Sequence, residues 1–429
     1  MKKDESLTKN PLWHRSPIQA PDPKGLLGRI AALQTVMRQQ AIGVAWIVFS
    51  RDVLYYSGTA QPSFLVVLQD DYYLFVRHGI HFALQESFIE PHKIIEERKI
   101  DKIKSRILPQ VSCKCLGTQL DILPVTQVDG LRKVFSDFKL INVSPIVLKQ
   151  RMRKEPTEIS CIREACRAVH AGYEAVLSHL KPGISELELA AAVEYAHRLG
   201  GHEGTFFFRH PDFYMSTGPL ASGGNLTNPS GALLSLTGIG LSAAVPAGPS
   251  QRRIEQGDLL IVDIPALVKG YHADQTRTYA LGKASKEAHR MFQAILAISE
   301  HLIDLIRPGI RASEVYAAAV EKAEQLGVAD HFLNLGNGRK SHLVGHGVGL
   351  ECNEPPLLAL SDKTVIGQGF VLAIELHILD PAFGAVKLED MILVTDTGCE
   401  ILTTVPRKLI ETPSRHFPPG SPRRRSATA

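Results

Sequence analysis

The sequence predicts an α/β domain of ordinary size followed by a larger α+β domain built twice on one plan. Three observations carry this. At 429 residues the chain is too long for one typical domain of roughly 100–200 residues. Short apolar, strand-like runs alternate with helical spacing as far as VLKQRMRKEP at 147–156, a basic stretch that ends in proline. Beyond it the chain repeats itself. Leu180-Lys181-Pro182-Gly183-Ile184 returns as Ile306-Arg307-Pro308-Gly309-Ile310, AAAVE at 190–194 returns at 317–321, and Leu199-Gly200 returns as Leu326-Gly327.

Composition excludes several classes. With 44% hydrophobic and 21% charged residues the chain is neither fibrous nor disordered, and it has apolar material for a core in each domain. Its charged start, MKKDESLTKNPLWHR, lacks the apolar segment of a signal peptide, and no apolar run approaches the roughly 18 residues of a membrane span. A cytoplasmic protein with no membrane partner is expected. Six scattered cysteines fit free thiols in a reducing compartment better than a disulfide framework. The net charge of +4 owes much to Arg423, Arg424 and Arg425 in a Pro/Ser-rich tail, residues 406–429, expected to be disordered. Three arginines are too few to predict a nucleic-acid partner.

Residues 1–24 are polar and proline-punctuated and read as an arm. The first domain, 25–150, opens with helical spacing over Leu26–Gln40, followed by a strand at Val44–Phe49 and another over Leu54–Ser57 that ends in the Gly58 turn. Phe64–Leu68 and Tyr72–Val76 read as strands joined by a tight turn, with helices near His81–Phe88 and Val125–Phe138. The basic stretch 147–156 is placed as the linker, and Pro156 opens a helix, where proline fits the first turn.

In the second domain, 156–405, each copy of the repeat is a helix, a Pro-Gly turn, a second helix and a strand-rich segment ending in an acid-bearing hairpin. Two copies related by a pseudo-two-fold axis would bring both hairpins to a shared centre. The first hairpin spans Gly257–Thr278. If it closes near Val268 and Lys269, Asp263 and Asp274 face each other across the strands, with Cβ atoms about 4.5–5.5 Å apart. The second spans Gly369–Thr395, turns at Pro381–Gly384 and carries Glu375 and Glu389; in both hairpins a glycine precedes the first acid by six residues. Buried carboxylates without a counter-charge cost several kcal/mol each, so four of them call for a cation. His346, flanked by Gly345 and Gly347, supplies imidazole, which together with carboxylates suits zinc, manganese, iron or cobalt.

Residues 156–402 resemble the pita-bread metallohydrolases, the family of methionine aminopeptidase, aminopeptidase P, prolidase and creatinase. GDLLIVD, GYHADQTRT, GHGVGLE, FVLAIE and KLEDMILVT carry the resemblance in order, and YYSGT with the following strand pair resembles the creatinase-like N-terminal domain. The resemblance implies two divalent ions (manganese, cobalt or zinc) held by Asp263, Asp274, His346, Glu375 and Glu389. Asp274 and Glu389 would bridge them around a hydroxide, with Glu375 as acid/base. It places His342 near the substrate as a catalytic and binding group, with Asn353 and Lys387 as further substrate contacts, and it implies a homodimer.

Asn353 stands where relatives carry a histidine, a second family histidine is replaced near Pro246, and Lys387 stands for an arginine. Asparagine hydrogen-bonds but cannot shuttle a proton near neutral pH. The expected activity is an aminopeptidase P- or prolidase-like peptidase that cleaves Xaa-Pro type bonds in a small peptide. A metal-dependent C–N hydrolase of a small nitrogenous metabolite, creatinase- or ectoine-hydrolase-like, is the alternative, and a non-catalytic binding protein a third.

Overall fold

A computed structural model describes residues 23–209, 218–228, 230–231, 235–336 and 338–412. Its first domain is one six-stranded sheet of β1 (Val44–Ile47), β2 (Ser63–Leu68), β3 (Tyr72–Val76), β4 (Ile94–Glu96), β5 (Cys115–Thr118) and β6 (Lys139–Asn142), in the order β4-β3-β2-β1-β5-β6. Helices α1 (Pro23–Gln39), α2 (Ser50–Ser57), α3 (Ile80–Glu86), α4 (Ile100–Ile107), α5 (Val125–Val134) and α6 (Ser144–Met152) surround it. Strand alternation splits the core in two. Ala45, Ile47, Leu65 and Val67 pack with Ile30, Leu33 and Met37 of α1, while Val44, Trp46, Phe64 and Val66 pack with Ile103 of α4 and Leu131 of α5.

Three expectations need correction here. Leu54–Ser57 is the end of helix α2, not a strand; Gly58 is its left-handed cap, at φ 79°, and its N–H bonds Leu54 O. A run as short as Leu-Tyr-Tyr-Ser suits either form, and burial of Val53, Tyr55 and Tyr56 against the sheet decides it. The basic stretch is no loose linker, because α6 runs to Met152, α7 (Pro156–His179) starts four residues later, and Arg151 and Lys154 are buried in ion pairs. The tail is folded as far as residue 412. Expected disorder over 413–429, and the arm over 1–22, lie outside the described residues.

The second domain pairs α7 with α8 (Glu186–Leu199). Strand β7 (Leu220–Ser222) and the first hairpin follow, the latter made of β8 (Leu259–Asp263), β9 (Ala266–Val268), β10 (Tyr271–Ala273) and β11 (Thr276–Leu281). Helices α9 (Lys286–Leu305) and α10 (Ala312–Gln325) repeat the helix pair. After them come β12 (Asn334–Gly336), β13 (Arg339–Lys340), β14 (Leu343–Gly347), β15 (Glu354–Ala359), β16 (Val371–Asp380), β17 (Gly384–Val394), β18 (Cys399–Ile401) and β19 (Ile410–Thr412). The two larger sheets run β19-β11-β8-β7 and β15-β14-β16-β17-β18. Pairing of Ile410 with Tyr279 puts β19 in the first of them, which is why the fold passes 405.

The duplication has a backbone signature. Gly183 N–H bonds Ile254 O and Ile254 N–H bonds Ile184 O; Gly309 N–H bonds Ile366 O and Ile366 N–H bonds Ile310 O. Both Pro-Gly turns are thus tied to the segment leading into their own hairpin. Side chains of β11 then stitch the halves together. Thr278 Oγ1 accepts from Lys387 N and donates to Lys387 O, and Arg277 reaches Glu389 O and, at 2.5 Å, Asp390 Oδ1. No helix among the described residues is long and apolar enough to cross a membrane.

Candidate metal centre

Each of the five candidate ligands comes from a different strand, except Asp274, which lies in the connection between β10 and β11. Glu375 and Glu389 face each other directly across β16 and β17, as expected. The first hairpin closes one residue later than expected: Lys269 and Gly270, both with positive φ, form the turn, so that Val268 pairs Tyr271 and Asp263 pairs Thr276 rather than Asp274. Asp274 is therefore a diagonal neighbour of Asp263, at a separation that opens room between them. His346 enters from β14, paired with Ala373 of β16. A Cβ on Gly345 would lie 2.1 Å from Ala373 O, so glycine is required for β14 to approach that closely.

Oxygen and nitrogen donors from Asp274, His346 and Glu389 lie within 4.8 Å of one another, as do those from Asp263, Glu375 and Glu389. The five ligand residues of the sequence reading therefore form two triads that share Glu389. In the first, His346 Nδ1 is 3.1 Å from Gly347 O, which leaves Nε2 directed at Asp274 Oδ2, Glu375 Oε2 and Glu389 Oε1 at 3.9–4.0 Å. An imidazole whose Nδ1–H is held by a carbonyl presents the Nε2 lone pair to a metal. Glu389 Oε1 is buried and has no partner among the described residues, although its Oε2 accepts from Thr276 Oγ1 at 2.7 Å. That orphaned oxygen and the aimed imidazole fit a divalent cation.

A protein cation already sits in the second triad. Lys387, 1% exposed as a side chain, places Nζ 2.5 Å from Asp263 Oδ2, 2.6 Å from Glu375 Oε1, 2.7 Å from Ser235 Oγ and 3.8 Å from Glu389 Oε2. This location differs from the substrate-facing one expected of Lys387. Burial pushes the Glu375 carboxyl upward, yet the charge and hydrogen bond of Lys387 above all outweigh it and hold it down at about 2. Burial, then the charge of Asp274, pushes Glu389 well up; burial, then Asp263, does the same to Asp274. The imbalance among four carboxylates is thus concentrated on the side away from the lysine.

His342 precedes β14 and is exposed, and Asn353 is exposed between buried Cys352 and Glu354. Neither joins the cluster, and Pro246 is exposed as well. Several residues of the centre escaped the sequence reading. Thr276 and Ser235 contact the ligands, Cys352 donates its thiol to Asp274 Oδ2 at 3.2 Å, and His377 is the cross-strand partner of Lys387. The strand alternation of β16 and β17 could have found His377, since it lies two residues beyond Glu375. Nothing local signals Ser235.

Residues 160–396 match metallopeptidase family M24, and residues 29–153 match the creatinase/prolidase N-terminal domain. The chain belongs to metallopeptidase family M24. It is similar to the Xaa-Pro dipeptidase of Pyrococcus furiosus, with 27% identity over 89% of this chain and 99% of that protein. Among solved structures it is similar to the prolidase of Pyrococcus horikoshii OT3, with 27% identity, a TM-score of 0.75 and coverage of 89% of this chain and 100% of that one. The fold is also that of the Xaa-Pro dipeptidase from Bacillus anthracis, at TM-score 0.77 and 24% identity, covering 90% and 99%. The expected creatinase-like domain followed by a pita-bread domain is therefore the fold of this chain, a metal-dependent hydrolase by family.

Proposed function

We propose that this M24 enzyme is a prolidase-like dipeptidase, cleaving the bond before proline in small Xaa-Pro peptides. The observation that carries the reading is convergence of Asp263, Asp274, His346, Glu375 and Glu389 from four strands and one connecting segment into a single cluster, together with full-length similarity to proteins named as Xaa-Pro dipeptidases. A divalent ion held by Asp274, His346 and Glu389 supplies Lewis acidity and a water of lowered pKa. Glu375 is held ionised, with Oε1 on Lys387 and Oε2 turned toward His346. It takes the proton of the attacking water and returns it to the leaving nitrogen. His342 and Asn353, both exposed on the segments flanking β14, are proposed to contact the substrate; manganese, cobalt or zinc, a homodimer and a cytoplasmic location complete the proposal.

Glu375→Gln is expected to lower kcat about 100- to 10,000-fold on Gly-Pro, Ala-Pro and Leu-Pro while metal content, measured by mass spectrometry, is retained. Wild-type chain that hydrolyses none of these dipeptides with manganese, cobalt or zinc present would reject the substrate assignment. The asparagine at 353 favours the alternative of a C–N hydrolase on a nitrogenous metabolite. Asn353→His separates the two, because peptidase activity rises only when the surrounding pocket accepts a peptide.

A further inference from the structure

The two triads are not equivalent, and the difference lies in Lys387. An ammonium has three donors, and all three of Lys387 are engaged: by Asp263 Oδ2 at 2.5 Å, Glu375 Oε1 at 2.6 Å and Ser235 Oγ at 2.7 Å. Two of those acceptors belong to one triad, and Glu389 Oε2, from the third residue of that triad, is 3.8 Å away. A metal ion bound there would need the same carboxylate oxygens and would lie against a buried positive charge. The other triad has the opposite character. Among the described residues its one lysine or arginine contact is that of Lys387 with the shared Glu389 Oε2 at 3.8 Å, beyond hydrogen-bond reach, while Glu389 Oε1 is an orphaned acceptor and His346 Nε2 points into it.

Placement of the lysine follows from the sheet rather than from side-chain length alone. Its backbone is fixed on both sides, by His377 across β16 and by Thr278 Oγ1 from β11, which binds both its N–H and its carbonyl. The stem therefore leaves β17 on the face that carries Glu375 and Glu389, one cross-strand step away.

We infer that this chain holds one divalent ion per active site, in the Asp274, His346 and Glu389 triad, and that the Lys387 ammonium takes the place of the second. The inference rests on the metallopeptidase reading above but concerns the number of ions, not the substrate. Lys387 is a fixed charge that neutralises Asp263 and Glu375. Such an ammonium cannot exchange with the medium, so one ion, not two, is lost on chelation.

Counting and spectroscopy of manganese in the intact protein test this. After dialysis, wild type is expected to bind one Mn(II) per chain by mass spectrometry and titration calorimetry. A second ion is expected to bind roughly 100-fold more weakly or not at all, from repulsion by the buried ammonium, and the electron paramagnetic resonance spectrum is expected to be that of an isolated ion. Lys387→Met, similar in length and uncharged, is expected to bind two ions and to show the signal of a coupled pair. Two ions of similar affinity in wild type would overturn the inference, as would a folded Lys387→Met that still binds one. The wild-type count decides the matter even where the variant fails to fold. Wild type that cleaves Xaa-Pro dipeptides with two ions bound defeats the single-ion assignment alone. One ion without dipeptide cleavage defeats the substrate assignment alone, and a chain that binds no metal defeats both.

Discussion

Thr276 shows how much of the centre depends on groups that never touch a metal. Its hydroxyl donates to Glu389 Oε2 and so turns Oε1 toward His346 and Asp274. Thr276→Val keeps the shape and β-branched packing while removing the donor. Metal affinity is expected to fall about 10- to 100-fold, as for other groups that orient ligands, with the urea midpoint of the metal-free chain nearly unchanged. Calorimetric titration with manganese checks this, and an unaltered dissociation constant would mean that the hydroxyl does not orient Glu389. Cys352 occupies a similar position against Asp274, and burial pushes its thiol well above the usual range. At this scale the sequence was a good guide to which ionisable residues cluster and a poor one to their supports. Carboxylates advertise themselves when repeated at matched spacing. A serine, a threonine or a cysteine becomes part of a site only through contacts made by distant strands.

Among elements, a junction of α2, α6 and the start of β15 with the residues before it ties the domains together by charge. Arg151 of α6 pairs with Asp52 of α2 at 2.7 Å and with Glu351 and Glu354 at 2.9 and 2.5 Å, and Lys154 adds 2.7 Å to Glu354. Arg209 reaches Asp52 at 3.2 Å from the second domain. This network fixes the segment that carries Cys352, whose thiol donates to Asp274, and the exposed Asn353 beside it. Arg151→Met leaves three buried carboxylates short of a partner and is expected to cost about 3–5 kcal/mol, the usual loss on breaking a buried pair. Urea denaturation measures it, and a loss below about 1 kcal/mol would mean the charges are solvated like surface pairs. The basic run at 147–156 looked like a solvated linker because sequence gives charge but not counter-charge. Its partners lie about 100 and 200 residues away, beyond the reach of any local pattern.

The whole molecule responds to acid through histidines that serve as acceptors. His272 is buried, its Nε2 accepts from Phe207 N–H at 3.0 Å and its Nδ1 is 3.0 Å from Gly349 O. His202 Nδ1 accepts from Leu267 N–H at 2.8 Å. Both rings must stay neutral to keep these bonds, and burial pushes His272 down to about 3. Below the ordinary histidine range the unfolded chain takes up a proton that the folded chain refuses, so stability falls as pH drops from about 6.5 toward 3. Glu351 works the other way. Burial, against the pull of Arg151 and Arg209, raises it to about 7, so its contribution is lost as pH rises from the ordinary carboxyl range toward 7. His272→Gln, which keeps an acceptor but cannot charge, is expected to lose roughly 2 kcal/mol less than wild type between pH 6.5 and 5. Urea midpoints at the two pH values test this, and parallel pH dependence in both chains would show that His272 does not carry the effect.

By itself the sequence determined the two domains, the duplicated plan of the second, the family and the five residues that the fold gathers into one cluster. These are properties of repeated spacing and of residue types that cannot be buried without a partner, and both are written locally in the chain. The tertiary structure alone decided the register of the first hairpin, the helical form of Leu54–Ser57, the rigid junction around Arg151 and the position of Lys387. Each depends on which distant strand or charge lies opposite, and the register of a hairpin turned by Lys269-Gly270 shows it most simply. Moving the turn by one residue leaves the composition unchanged but shifts Asp274 from facing Asp263 to standing diagonal to it.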